Sequence, residues 1–110
     1  MRVNIKPLSV NDAWQGRRFK SDKYKVYEFA LLLILRPLTL PDAPYEAFYT
    51  FGLSSIQSDF DNPVKPLQDI LSKKYKFNDK LIMKATIEKI KVDKGHEFID
   101  FEFKHYEKSH

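Results

Sequence analysis

The sequence predicts a single small α+β domain, a mixed α/β arrangement in which a mixed sheet is backed by two helices in the order β-α-β-α-β-β. Two stretches, near residues 21–36 and 63–75, space their apolar side chains three and four apart, as a half-buried helix does. Four others alternate apolar and polar residues, as a half-buried strand does. The chain has 110 residues, 43% of them hydrophobic and 15% aromatic. That length buries roughly two-thirds of the unfolded surface around one core and leaves no room for a second, so residues 1–110 read as one domain.

Val3 and Ile5 alternate with Arg2, Asn4 and Lys6, which gives a first strand over Met1–Lys6 that stops at Pro7. Residues 8–20 show no period and read as a loop mixing cations with large rings. Ser21 suits an N-cap, and Tyr24, Tyr27, Leu31 and Leu35 form the buried stripe of a helix that ends before Pro37. Residues 37–44, with three prolines, form a loop. Tyr45, Ala47, Tyr49 and Phe51 alternate with Glu46, Phe48 and Thr50 in an aromatic core strand. Val64, Leu67, Leu71 and Tyr75 mark the second helix, with Asn62 as its N-cap and Pro63 in the first turn, where a missing N–H costs nothing. Residues 81–92 read as a long strand whose buried face switches near Glu88, as at a bulge. A turn at Asp93, Lys94 and Gly95 then leads to Ile99, Phe101 and Phe103 in a strand returning antiparallel to it.

The candidate chemistry lies between Asp59 and Asp79. Asp59 and Asp61 are two apart, so in an extended segment both carboxylates leave one face of the backbone. At about 100° per residue, Asp61, Lys65 and Asp69 follow one polar line along the helix. Asp69 pairs with Lys65 at i,i+4 or faces solvent. Carboxylates that converge without a cation repel one another. Acids at a helix start also serve as plain capping groups.

The order Asp59, Asp61, Asn62, Lys65, Asp69 and Leu71, followed by Asp79, resembles the RusA family of Holliday junction resolvases. Asn11, Trp14, Arg17, Ser21, Tyr24 and Tyr27 upstream, and the Lys94-Gly95 turn downstream, extend the similarity over most of the chain. The resemblance implies a Mg²⁺-dependent endonuclease that acts as a homodimer on four-way DNA junctions, in recombination or repair. It implies that Asp59, Asp61 and Asp79 hold the metal and that Lys65 is the essential lysine; weighed apart from the resemblance, Asp69 is read as supporting them from just outside the site, and Asn62 as the helix cap beside them. It also implies DNA contacts from the N-terminal loop, at Asn11, Trp14, Arg17, Arg18 and Lys20. One departure stands out: family members carry basic residues just before the first Asp, and here the run is Ser54, Ser55, Ile56, Gln57 and Ser58.

Composition agrees without deciding. The net charge of +4 mildly favours a polyanionic partner. With no Cys there is no disulfide framework or thiolate metal site, as in a reducing cytoplasm. The longest apolar run, Phe29 to Leu35, is far shorter than the roughly 20 residues that span a bilayer. The expectation is a cytoplasmic protein, bacterial or phage-encoded, with no membrane partner. His96, His105 and His110 have no zinc-ligand spacing. A non-catalytic module that binds branched DNA is the alternative; it would need the basic loop but not the acids.

Overall fold

In the computed structural model, residues 1–16 and 19–108 are described. Arg17 and Arg18, both expected DNA contacts, lie outside them. Strand β1 is short, Arg2–Val3, because only two residues of the expected first strand find partners. The expected loop at 8–20 contains a four-residue helix, α1 (Val10–Ala13), and a two-stranded ribbon of β2 (Trp14–Gln15) and β3 (Phe19–Lys20). Helix α2 (Asp22–Ile34) follows, then β4 (Tyr45–Leu53) and helix α3 (Val64–Tyr75). A 3₁₀ turn at Asp79–Leu81 leads into β5 (Ile82–Lys91), and β6 (Phe98–His105) closes the domain. The main elements thus keep the expected β-α-β-α-β-β order, with the small α1 and the ribbon added.

The four-stranded sheet has the order β1-β6-β4-β5. It is mixed, because β5 runs parallel to β4 while β6 runs antiparallel to it. Contrary to the antiparallel pair expected across the Asp93–Gly95 turn, β5 and β6 do not pair, since β4 lies between them. The expected bulge near Glu88 is also absent. The β4–β5 register runs unbroken from Glu46 opposite Lys84 to Leu53 opposite Lys91, and its one shift falls at the other end, between Tyr45 and Glu46.

Helices α2 and α3 cover one face of the sheet. Tyr24, Tyr27, Leu31 and Leu35 point into the core from α2, as their spacing requires, and Leu67, Ile70 and Leu71 do so from α3. They meet Ala47, Tyr49 and Phe51 of β4 and Ile99, Phe101 and Phe103 of β6. Aromatic rings knit this layer together edge to face, with Tyr49 and Phe103 at 6.2 Å and 89°. Ser21 caps α2 as expected, its hydroxyl accepting from the Tyr24 amide at 3.1 Å. Helix α3 ends on Lys76 in the left-handed conformation at φ 55°, which lets the Phe77 amide reach the Ser72 carbonyl.

Candidate active site

Leaving β4, the chain runs through residues 54–58 to the acids, and two lysines of β5 hold this segment. The Lys89 ammonium donates to the carbonyls of Ile56 and Ser58 at 2.9 and 2.8 Å, and Lys91 donates to the carbonyl of Ser54. Ser54 also donates to Glu97 at 3.0 Å. Glu97 is held below the usual carboxylate range by its own backbone amide, by Ser54 and by the Gly95 N–H. Two cations of a neighbouring strand thus lie beside the segment before Asp59, both donating to its backbone carbonyls. Sequence reasoning missed them. The available signal was Lys89 itself, which occupies the line of Ala85 and Ile87, where alternation calls for an apolar residue.

Residues 60–63 form a turn in place of the extended segment assumed from spacing. The Asn62 amide donates to the Asp59 carbonyl at 3.2 Å and the Val64 amide to the Asp61 carbonyl at 3.0 Å. Asp59 and Asp61 are both exposed on this turn, with Phe60 between them. The N-cap of α3 is Pro63, with no side-chain cap bond, so Asn62 is not the expected cap. Its backbone carbonyl accepts instead from the Val10 amide at 2.8 Å, tying the turn to α1.

Lys65 projects from the first turn of α3 and donates to Asp69 at 2.9 Å, the expected i,i+4 pair. Its pKa is raised, first by that bond and then by the charges of Asp69 and Asp79, against a partial loss of solvation. Asp79 opens the 3₁₀ turn, where the Asn78 side chain accepts from the Lys80 amide at 3.0 Å. Its charge also reaches Tyr49, whose hydroxyl donates to Gln68 at 2.9 Å and whose pKa is pushed up by burial first and by Asp79 second. Lys65 thus pairs with Asp69 and feels the charge of Asp79, which also acts on Tyr49; the Tyr49–Gln68 pair was not singled out by sequence reasoning.

The oxygen chemistry of Asp59, Asp61 and Asp79 suits a hard divalent cation. As the side chains are placed, no three acids or histidines among the described residues gather closely enough to grip one.

The N-terminal loop divides into parts. Asn11 is exposed on α1, its amide donating to Ser9 at 3.2 Å. Trp14 lies against the buried Tyr24, ring centroids 5.5 Å apart, so one side of the indole is committed to the core. Lys20 sits over the Tyr24 ring and pairs with Glu28 at 3.5 Å, and Lys73 of α3 pairs with the same carboxylate at 2.9 Å. Burial works to raise the Glu28 pKa, but the two lysines hold it below the ordinary value. This cluster clamps the loop to both helices.

Among the described residues no helix is long and apolar enough to cross a membrane. Neither a protein-family model nor a curated protein matches this chain.

Proposed function

We propose that this chain is a structure-selective DNA endonuclease that hydrolyses phosphodiesters at four-way junctions and works as a homodimer. The observation that carries the reading is Lys65. It stands in the first turn of α3, just after the turn that carries Asp61, donates to Asp69, and feels the charge of Asp79, which is far along the chain. Two acids of the motif from separate segments of sequence, Asp69 and Asp79, thus act on one ammonium.

Asp59, Asp61 and Asp79 would hold Mg²⁺, which when bound supplies a more acidic water and neutralises phosphate charge. Lys65, more than half exposed and kept protonated by its acidic neighbours, offers its ammonium to the negative charge that builds on the departing oxygen. Asp69 sets the direction of that ammonium. Lys89 fixes the approach segment, leaving the turn with Asp59 and Asp61 free at the surface, where a duplex can reach it. Exposed Asn11 and the outer side of Trp14 are the candidate contacts to DNA among the described residues of the loop, beside Lys20.

The experiment is direct. The purified protein is incubated with a synthetic four-way junction and with matched duplex, in Mg²⁺ or in chelator, and nicks are mapped. Paired, symmetric nicks in the junction alone, dependent on Mg²⁺, are the expected result. Tight junction binding with no nicks under any metal would replace the proposal with a binding module. No preference for branched DNA would remove both.

A further inference from the structure

Phe60 stands between Asp59 and Asp61, is 53% exposed, and does not belong to the core cluster. A single exposed Phe is ordinary on a protein surface. The place of this one is what matters. The bonds that shape its turn are backbone bonds, from the Asn62 amide to the Asp59 carbonyl and from the Val64 amide to the Asp61 carbonyl. Such turns favour Gly, Asn, Asp, Ser and Pro, so the turn itself has no use for a ring.

The ring is also offered from a fixed platform. On the entering side Lys89 holds the carbonyls of Ile56 and Ser58, and on the leaving side the Val10 amide holds the carbonyl of Asn62. Consecutive Cα atoms are about 3.8 Å apart, so Phe60 is carried one residue from each of two carboxylates that the proposed function sets beside the scissile phosphate. What it can touch there is confined to the nucleotides flanking that phosphate. A benzyl side chain has no charge and no hydrogen-bonding group, and a carboxylate lies on either side of it in the chain. Of the parts of a nucleotide it therefore suits the base face, which is flat and uncharged, and neither the phosphate nor the sugar hydroxyls.

We infer that Phe60 stacks on a nucleobase beside the scissile phosphate at the branch point, and that this contact favours junctions over continuous duplex. In continuous duplex both faces of every base are covered by its neighbours, and opening a step for an apolar side chain is costly. At a branch point the stack is interrupted, so a base face can be covered by a protein ring at little cost. The inference rests on the proposed function and gives it a source of selectivity.

The test is a double-mutant cycle on binding, measured in Ca²⁺, a hard cation that takes the same oxygen ligands as Mg²⁺. The parent chain and Phe60→Ala are titrated with an intact four-way junction, with junctions each lacking one base beside the branch point, and with matched duplex. Phe60→Ala should weaken binding to the intact junction about 10-fold or more and binding to duplex much less, with unchanged circular dichroism. On the junction that lacks the stacked base, parent and variant should bind alike, because the partner of the ring is gone. Phe60→Trp should keep the parent affinity, and Phe60→Leu, apolar without a π-face, should behave as Phe60→Ala. Equal affinity of parent and Phe60→Ala for the intact junction overturns the inference, as does a loss that is the same on every junction lacking a base, or full rescue by Phe60→Leu. Those results, from a parent chain that still makes paired nicks in Mg²⁺, refute the stacking role alone. A parent chain with the expected coupling and no nicks refutes the endonuclease reading alone, and one with no preference for branched DNA refutes both.

Discussion

The two strands flanking β4 present the same side of the sheet to the helices and fill it differently. On β6 that side holds Ile99, Phe101 and Phe103, all buried. On β5 it holds Ala85, Ile87 and Lys89, in register with Ala47, Tyr49 and Phe51, and only Ile87 packs against the core. Where β6 places Ile99 opposite Phe51, β5 places an ammonium that reaches out to the approach segment. Stability and the candidate chemistry are thus separated across β4. One flank fills the core; the other yields core volume to position the turn at Asp59 and Asp61.

That separation can be broken by substitution. Its strongest test is Asp61→Asn, nearly isosteric and on the exposed turn: junction cleavage should fall about 1,000-fold or more while the melting temperature and junction binding persist. A folded Asp61→Asn protein that cuts at the parent rate would remove the turn from the active site. On the opposite flank, Phe101→Ala should cost about 3–5 kcal/mol in a urea titration, and the fraction still folded should retain its cleavage rate. A change of under about 1 kcal/mol would show that β6 is not the stabilising flank. Lys89→Met keeps an apolar stem but loses two carbonyl contacts at a half-exposed site. It should cost about 1 kcal/mol and reduce cleavage more than stability, with single-turnover rates as the readout. The smallest effect lies away from both flanks: Lys76→Gly relieves a left-handed residue at the end of α3 and should add about 0.5–1 kcal/mol with cleavage unchanged.

Much of this architecture was legible because it is local. The Ser21 cap, the Tyr24 to Leu35 stripe and the α3 stripe follow from helical spacing, and each is present. Sheet order was not legible. The turn at Asp93–Gly95 looks like a hairpin, yet β6 pairs with a strand about 50 positions earlier in the chain, and nothing within a few residues of the turn encodes that choice. The site divided in the same way. The Lys65–Asp69 pair followed from i,i+4 spacing, whereas the Asp59–Asn62 turn depends on a long-range bond from Val10 that no local pattern reveals. Trp14 shows the limit of composition: a ring among cations fits base stacking and core anchoring equally, and only its 5.5 Å approach to Tyr24 shows that one side faces inward.

The place of β4 at the centre of the sheet has a consequence for how the protein is made. Both of its neighbours follow it in the chain: β5 arrives only after the α3 crossover, and β6 later still. During synthesis an aromatic strand, Tyr-Glu-Ala-Phe-Tyr-Thr-Phe-Gly-Leu, therefore waits with at least one edge open until residues 98–105 have emerged. The opposite end of the sheet must wait as well, because β1, the first strand made, pairs only with β6. Long-range pairings of this kind close slowly, and an open aromatic edge is a template for other chains. The nascent protein is most prone to aggregate just before its last strand appears, so a truncation that removes β6 should yield insoluble material instead of a smaller folded domain.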